Sequence, residues 1–512
     1  MRKIITSVIR SIGRGIRHDP EIKRLIERHP IVSGFIKRRL TPDEAFGLHL
    51  TVGSLLTLFF VFFFFGIFKQ AIGEASVTES DIRILNFIQI FRTPSFTTAM
   101  LFFTTLGKWQ VIFLGTAAAS VIFIMRQRWY NLTTLLVSVI VGELFVWVIK
   151  NSIERPRPSL VNALTPEVGF SFPSGHAFVA FSFYGLLAYF FFYAVKKIWL
   201  RVIIFLSACI LIGLIGFSRV YLGVHWPSDV VASMFSGCAW LTILITVLEI
   251  RRKTRTFPPM TKFRPLIVRL TIAGLFLIWL LSTVYFFKAY TVFPDSPVSA
   301  ETPPVLHEQK ISDEFFSTES RYSETVFGTK TEPINFLFIG EQEDISRMMK
   351  KAGWTLSETI SFGSFQKLVY AALFDTPYLQ APGTPTFWNT QPNDFSYGKP
   401  TEANSIRERH HIHIWVTPYS TDTGKHLFVA TAHFDVGIKF RSWFIIPIHK
   451  IDPAIDKERE QIKKDLLATG FVEKIQDFQI VEPILGKNLG GDQFFTDGKA
   501  YSVFLKKDEI KK

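Results

Sequence analysis

Residues 200–229 read LRVIIFLSACILIGLIGFSRVYLGVHWPSD. Their first part, Leu200–Phe217, holds a single charge, Arg201, and the chain then turns abruptly polar. Such a run comes close to crossing a hydrocarbon core of about 30 Å, which takes roughly 20 helical residues. The polar part, Ser218-Arg219-x5-His225-x3-Asp229, sets a cation, an imidazole and a carboxylate where that helix leaves the membrane. Pro227 suits the first turn of a second helix, where its missing N–H costs nothing. The stretch therefore reads as two membrane helices joined by a polar turn.

Six further runs have comparable length and composition: Phe46–Phe68, Trp109–Met125, Asn131–Ile149, Gly175–Val195, Ser228–Glu249 and Pro265–Phe287. Asp81–Gly107 is apolar and aromatic but interrupted by Arg83, Arg92 and Pro94, so it reads as interfacial or re-entrant rather than as an eighth span. The hydrophobic fraction of 48% and mean hydropathy of +0.25 exceed those of ordinary soluble proteins, yet are too low for a chain that is membrane throughout. Disordered and collagen-like classes are excluded. Both cysteines, Cys209 and Cys238, lie in apolar runs, which leaves no disulfide framework.

Charge is unevenly placed: residues 1–45 carry a net +6, residues 46–290 a net +13 and residues 291–512 a net −5. A nucleic-acid reader would concentrate positive charge on its soluble domain, and here that part is acidic, so no nucleic-acid partner is expected. The excess instead flanks apolar runs. The N-terminal segment, Arg126 and Arg128, Lys196, Lys197 and Arg201, and the cluster from Arg251 to Arg264 all fall on one side of the bilayer. Basic loops stay cytoplasmic. Seven spans then put the N-terminus in the cytoplasm of an inner-membrane protein and everything beyond about residue 290 outside it. Within residues 1–18, Ile4, Ile5, Val8, Ile9, Ile12 and Ile16 recur at helical spacing among five basic residues. That pattern fits a cationic helix on the inner leaflet rather than a signal peptide.

Lys150, Arg155, Arg157 and Arg219 break the charge rule by falling on the outer side. Three motifs meet there: Lys150-x6-Arg157-Pro158, Pro173-Ser174-Gly175-His176, and Ser218-Arg219-x5-His225-x3-Asp229. These residue types fit phosphoryl transfer without a metal. Lys150, Arg157 and Arg219 supply a positive field, and the Arg forks match paired phosphate oxygens. Ser174 and the Gly175 amide stand at a helix N-terminus, which presents free N–H groups to an anion. His225 lies one helical turn before Asp229, so the carboxylate can fix its tautomer and free the other nitrogen to attack phosphorus. His176 is the candidate acid for the departing oxygen. Taken singly, a basic residue at a span end is an interfacial anchor, and a lone Pro-Ser-Gly is a turn. Glu143, an acid inside a span two turns before Lys150, is either a further functional candidate or a hydrogen-bonded structural residue.

The three motifs resemble the signatures of the type 2 phosphatidic acid phosphatase superfamily, which includes lipid phosphatases, undecaprenyl pyrophosphatases, glucose-6-phosphatase and vanadium haloperoxidases. The resemblance covers residues 46–250 and no signature position departs from it. It implies a six-helix core, His225 as the nucleophile forming a phosphohistidine, Asp229 orienting it and His176 as general acid. Phosphate binding by Lys150, Arg157, Ser174, Gly175 and Arg219 is implied as well, with no metal and no cofactor. The spans disfavour the soluble haloperoxidase branch.

After a Pro-, Ser- and Thr-rich linker at 291–304, the chain reads as an α+β domain over 305–512. Ile334–Ile339, His411–Val416, Leu427–Ala432 and Tyr501–Leu505 read as strands, and Ile345–Ala352 and Asp456–Leu467 as helices. Six of the chain's 12 histidines fall between His410 and His449. His411 and His413 share one face of a strand, and His433-x-Asp435 repeats the spacing, a pattern that admits a transition-metal site. Without a two-His helical motif the expected reading is core-satisfied histidines with no metal. Arg407–Trp415, Ala432–Asp435 and Ile448–Glu460 resemble an LssY-type C-terminal domain, which is often appended to this phosphatase core. Its position outside the membrane suits substrate gating or an extracytoplasmic partner.

The fold class expected is thus an all-α polytopic helical bundle, the six-helix core over 46–250 plus a basic loop and seventh span over 251–290, followed by a soluble α+β domain. The expected activity is a lipid phosphate or pyrophosphate phosphatase acting at the outer face of the cytoplasmic membrane. A substrate with an acyl or polyprenyl tail, such as undecaprenyl pyrophosphate, phosphatidic acid, phosphatidylglycerol phosphate or a lipid A phosphate, would bring its phosphate to that depth. A phosphotransferase using the same site is the second reading, and a non-catalytic envelope binding protein the third.

Overall fold

The computed structural model describes residues 20–41, 46–72, 76–158, 163–254, 263–290, 304–374, 376–402, 406–440, 447–488 and 491–506. The helix expected within residues 1–18 lies outside them, as does most of the linker. Two units are present. One comprises residues 1–73, 98–158 and 165–292, the other 74–97, 159–164 and 293–512.

Two short helices, α1 (Pro20–Arg28) and α2 (Pro30–Leu40), precede the membrane unit's first long helix, α3 (Leu48–Ile72). Helix α4 (Ser76–Gln89) comes next, then α5 (Pro94–Leu106), α6 (Trp109–Met125), α7 (Trp129–Ile153), α8 (Gly175–Ala194), α9 (Ile198–Tyr221), α10 (Pro227–Thr254) and α11 (Pro265–Lys288). Six of these, α3 and α7 to α11, are each long and apolar enough to cross a bilayer. They match six of the expected runs closely, because in hydrocarbon a helix satisfies every backbone polar group within itself. The expected span Trp109–Met125 differs. It is 17 residues long and forms with α5 a pair bent by 49° at Gly107–Lys108, the geometry of a broken span or re-entrant loop.

Asp81–Gly107 accordingly divides. Its second part, α5, joins this bent pair, whereas α4 belongs to the C-terminal unit. The reason is pairing: the buried Arg83 donates from Nε (3.0 Å) and Nη2 (2.5 Å) to Glu324, and Asn86 donates to the carbonyl of Thr390 at 3.1 Å.

Inside the membrane unit, polar groups link the helices. Ser138 Oγ donates to the carbonyl of Ser182, Tyr184 to that of Leu106, and Trp279 Nε1 to that of Val111. Such bonds hold helices together where lipid gives no hydrophobic drive between them. Glu143 follows the buried Gly142 on α7 and keeps exposed surface.

The second unit is built on a nine-stranded mixed sheet. Its strands, numbered within that sheet, are β1 (Val305–Leu306), β2 (Phe336–Gly340), β3 (Thr355–Leu356), β4 (Phe395–Pro400), β5 (Glu408–Thr421), β6 (His426–Phe440), β7 (Pro447–Ile451), β8 (Val472–Gln479) and β9 (Lys499–Leu505). The order is β8-β9-β2-β6-β5-β4-β3, with β1 beside β5 and β7 beside β6. Successive side chains alternate between faces. Phe336, Phe338, Ile412, Ile414 and Phe428 pack under helices α13 (Gln342–Lys351) and α15 (Ile455–Leu467), while Leu337, Ile339, Trp415, Leu427 and Val429 meet α12 (Ile311–Thr318). Helix α14 (Phe362–Phe374) lies between β3 and β4 in sequence.

Candidate active site

Four helix ends carry the motif residues. Helix α7 stops at Glu154, whose left-handed φ of 53° and N–H to the Lys150 carbonyl close the last turn. Arg155-Pro156-Arg157-Pro158 cannot extend it, because proline lacks the N–H and clashes with the preceding turn. Lys150 thus sits in the final turn and its Nζ donates to the carbonyl of Phe170 at 2.6 Å. Helix α8 starts at Gly175 with Ser174 as its N-cap. Helix α9 ends at Tyr221, and Gly223 takes a φ of 73° that only glycine adopts without strain, turning the chain toward His225. Helix α10 begins at Pro227 with Asp229 in its first turn.

His225 and Asp229 are both fully buried. His225 Nδ1 lies 3.3 Å from Asp229 Oδ2, and that same oxygen accepts the Trp226 N–H at 2.9 Å. On the other side, Arg157 Nη1 lies 3.2 Å from His225 Nε2. A guanidinium only donates, so Nε2 must be the nitrogen with the lone pair and Nδ1 must carry the proton given to Asp229. Burial first, then the charges of Arg157, Lys150 and Arg219, hold this imidazole well below the usual histidine pKa. It is therefore neutral at pH 7.

Arg157 is locked by the carbonyls of Gly169 (2.9 Å), Val224 (2.7 Å) and Val168 (3.3 Å). Arg219, with no exposed surface, donates to Thr104 Oγ1 at 2.6 Å and pairs with Glu167. Burial alone would raise the Glu167 carboxyl, but Arg219, His176 and Arg157 hold it at about 2. Ser174 Oγ, His176 Nε2 and Arg219 Nε are buried without a hydrogen-bond partner among the described residues. Each such group costs roughly 1–3 kcal/mol unless something binds it.

The structure thus gathers the eight expected residues into one unit, and it adds others. Arg155, read from the sequence only as a charge on the wrong side, is buried and donates to Asp229 Oδ1 at 2.6 Å and to Ser228 Oγ at 2.8 Å. Its signal was the doubled arginine around Pro156. Glu167 and Thr104 carried no local signal. Gly107 also had none: a Cβ there would stand 2.9 Å from His176 Cδ2 and 2.9 Å from Ile215 Cγ2, so only glycine leaves His176 its place.

Residues 131–253 match the model of the PAP2 superfamily, and residues 317–500 that of the LssY C-terminus. Phosphatidylglycerophosphatase B of Bacillus subtilis is 34% identical over 182 residues, 35% of this chain and 87% of the relative. The chain belongs to the PAP2 superfamily. This PAP2 protein is also 26% identical over 197 residues to an undecaprenyl-diphosphatase of Sulfolobus acidocaldarius, 38% of this chain and 89% of that one. A lipid A 1-phosphatase of Rhizobium etli is 27% identical over 161 residues, 30% of this chain and 63% of that one. Among solved structures, the transmembrane PAP2-type phosphatidylglycerolphosphate phosphatase from Bacillus subtilis matches 40% of this chain and 98% of its own at 27% identity, with a TM-score of 0.34. The chain is a multi-pass membrane enzyme of the PAP2 phosphatase class, with an LssY C-terminal domain.

Proposed function

We propose that the protein hydrolyses a lipid phosphate or diphosphate at the outer face of the cytoplasmic membrane through a phosphohistidine at His225. The observation that carries this reading is the opposed environment of its two ring nitrogens, Asp229 at Nδ1 and the Arg157 fork at Nε2. A buried neutral imidazole so fixed has its free lone pair beside a cation that can draw in a phosphoryl oxygen.

In the first step Nε2 attacks phosphorus, the N–P bond forms and the bond from phosphorus to the lipid-side oxygen breaks. His176 gives that oxygen a proton. Lys150, Arg157 and Arg219, with Ser174 Oγ and the Gly175 N–H, neutralise the three equatorial oxygens as their charge redistributes. Water then attacks phosphorus, His176 takes its proton, the N–P bond breaks and orthophosphate leaves. Asp229 balances the imidazolium charge, and Arg155 holds Asp229 in place. No step calls for a metal.

The outer face is supported by the basic residues that flank the opposite helix ends. A lipid substrate is supported by the catalytic residues standing at span ends and by what the relatives' names state they act on. Undecaprenyl pyrophosphate, phosphatidic acid and phosphatidylglycerol phosphate are the compounds to compare. Protein purified in detergent is expected to release orthophosphate from at least one of them in excess EDTA, and His225→Ala to abolish release. Strict dependence on an added divalent ion, or wild-type turnover in His225→Ala, would overturn the mechanism.

A further inference from the structure

His411, His413 and His433 lie in the C-terminal unit and take no part in the chemistry above. In β5, His411 and His413 are two residues apart and so share a face. The antiparallel register of β6 sets His433 directly opposite His411. All three are buried. Ring centroids are 4.4 Å apart for His411–His413 and 5.7 Å for either of them with His433. One nitrogen from each ring can be chosen so that all three lie within 4.8 Å of one another. Tetrahedral ligands with metal–nitrogen bonds of about 2.1 Å stand about 3.4 Å apart, so small ring rotations close the difference.

Asp435 sorts the nitrogens. It lies 3.7 Å from His411 Nδ1 and 3.5 Å from His433 Nε2, and Arg409 Nε holds it at 3.4 Å. The two nitrogens turned away from it are His411 Nε2 and His433 Nδ1, and the latter has no hydrogen-bond partner among the described residues. A carboxylate hydrogen-bonded behind the imidazole is the usual support of a metal-binding histidine, and Asp435 stands within 3.7 Å of both rings, so a small rotation of either makes that bond. Gly383 covers the rings: a Cβ there would fall 2.3 Å from His411 Cε1 and 2.7 Å from His413 Cε1. Further along the same face these strands carry Trp415, Leu427 and Val429.

We propose that His411, His413 and His433 form a binding site for a divalent first-row transition-metal ion, with Asp435 orienting two of the ligands. Three neutral imidazoles suit such an ion rather than calcium or magnesium, which prefer oxygen, and they leave one coordination position open.

The test uses untagged full-length protein in detergent, stripped with a chelator and dialysed against Zn(II) or Co(II). About one Zn(II) per chain is expected by elemental mass spectrometry, with the visible bands of a tetrahedral site in the Co(II) form. His411→Gln and His433→Gln should each lower occupancy at least about tenfold, whereas the paired control His410→Gln/His426→Gln keeps it. The wild-type Co(II) spectrum needs no variant, so a misfolded mutant cannot mask the answer. Absence of those bands together with negligible Zn(II) in the wild type would overturn the proposal, as would full occupancy in both single variants.

Discussion

Arg155 shows how much of the site depends on a single pair. Its guanidinium and Asp229 are both buried, and removing one partner of such a pair strands the other's charge. Arg155→Ala is therefore expected to cost about 3–5 kcal/mol of stability, seen in thermal melts in detergent, and to lower turnover with it. Arg155→Lys restores the charge without the fork and should recover only part. His225 sets the pH behaviour. Its depressed pKa keeps it deprotonated below the usual histidine range, so the acid limb of kcat/KM from this group lies below about pH 6.5. Arg157→Ala removes the leading charge that opposes imidazole protonation. That limb should move to higher pH while the rate falls, and a profile with an unmoved limb would count against the arrangement. The motif residues could be read from the chain because spacing within each of the three motifs is fixed. Glu167, Thr104 and Gly107 could not, since each acts on a residue of another element.

At the scale of elements, the break between α5 and α6 departs from the separate span expected over Trp109–Met125, and the pairing of α4 with the C-terminal unit is a contact periodicity does not give. Gly107 stands at that break, against His176 of α8 and Ile215 of α9. Gly107→Ala is expected to displace the proposed general acid, lowering kcat by roughly tenfold or more with little change in KM. Helix α4 is held by Arg83, which is buried between Glu79 and Glu324. Glu324→Ala leaves that guanidinium with only the more exposed Glu79, so amide exchange across residues 76–89 should quicken. Unchanged exchange there would show that Glu324 is not what anchors α4. The composition of α4, with Ile82, Ile84, Leu85, Phe87 and Ile88 among Glu79, Asp81 and Arg83, also suits an interfacial helix. Its pairing with Glu324, far along the chain, is what the composition could not give.

For the whole molecule, the two units are discontinuous in sequence, since residues 74–97 belong with the C-terminal one. Deleting 291–512 therefore does more than remove a terminal domain: it strips α4 of its partners. Such a protein is expected to keep phosphate release from a soluble short-chain substrate within about tenfold, because every proposed catalytic residue lies in the membrane unit. Its Arg83 should become sensitive to trypsin. Comparing lipid phosphates with and without 291–512 then reads out any part the second unit has in substrate choice.

Hydrophobic run length specified the spans, because hydrocarbon demands a helix of nearly constant length whatever the neighbouring helices do. Fixed spacing within each motif marked the candidate site residues, and one helical turn sets His225 beside Asp229, but packing of four helix ends brings the three motifs together. In the sheet, Asp435 meets His411 only through the hairpin register, and Arg83 meets Glu324 across 241 positions. Contacts of that kind leave no period or spacing in the chain, since they exist only once distant segments pack.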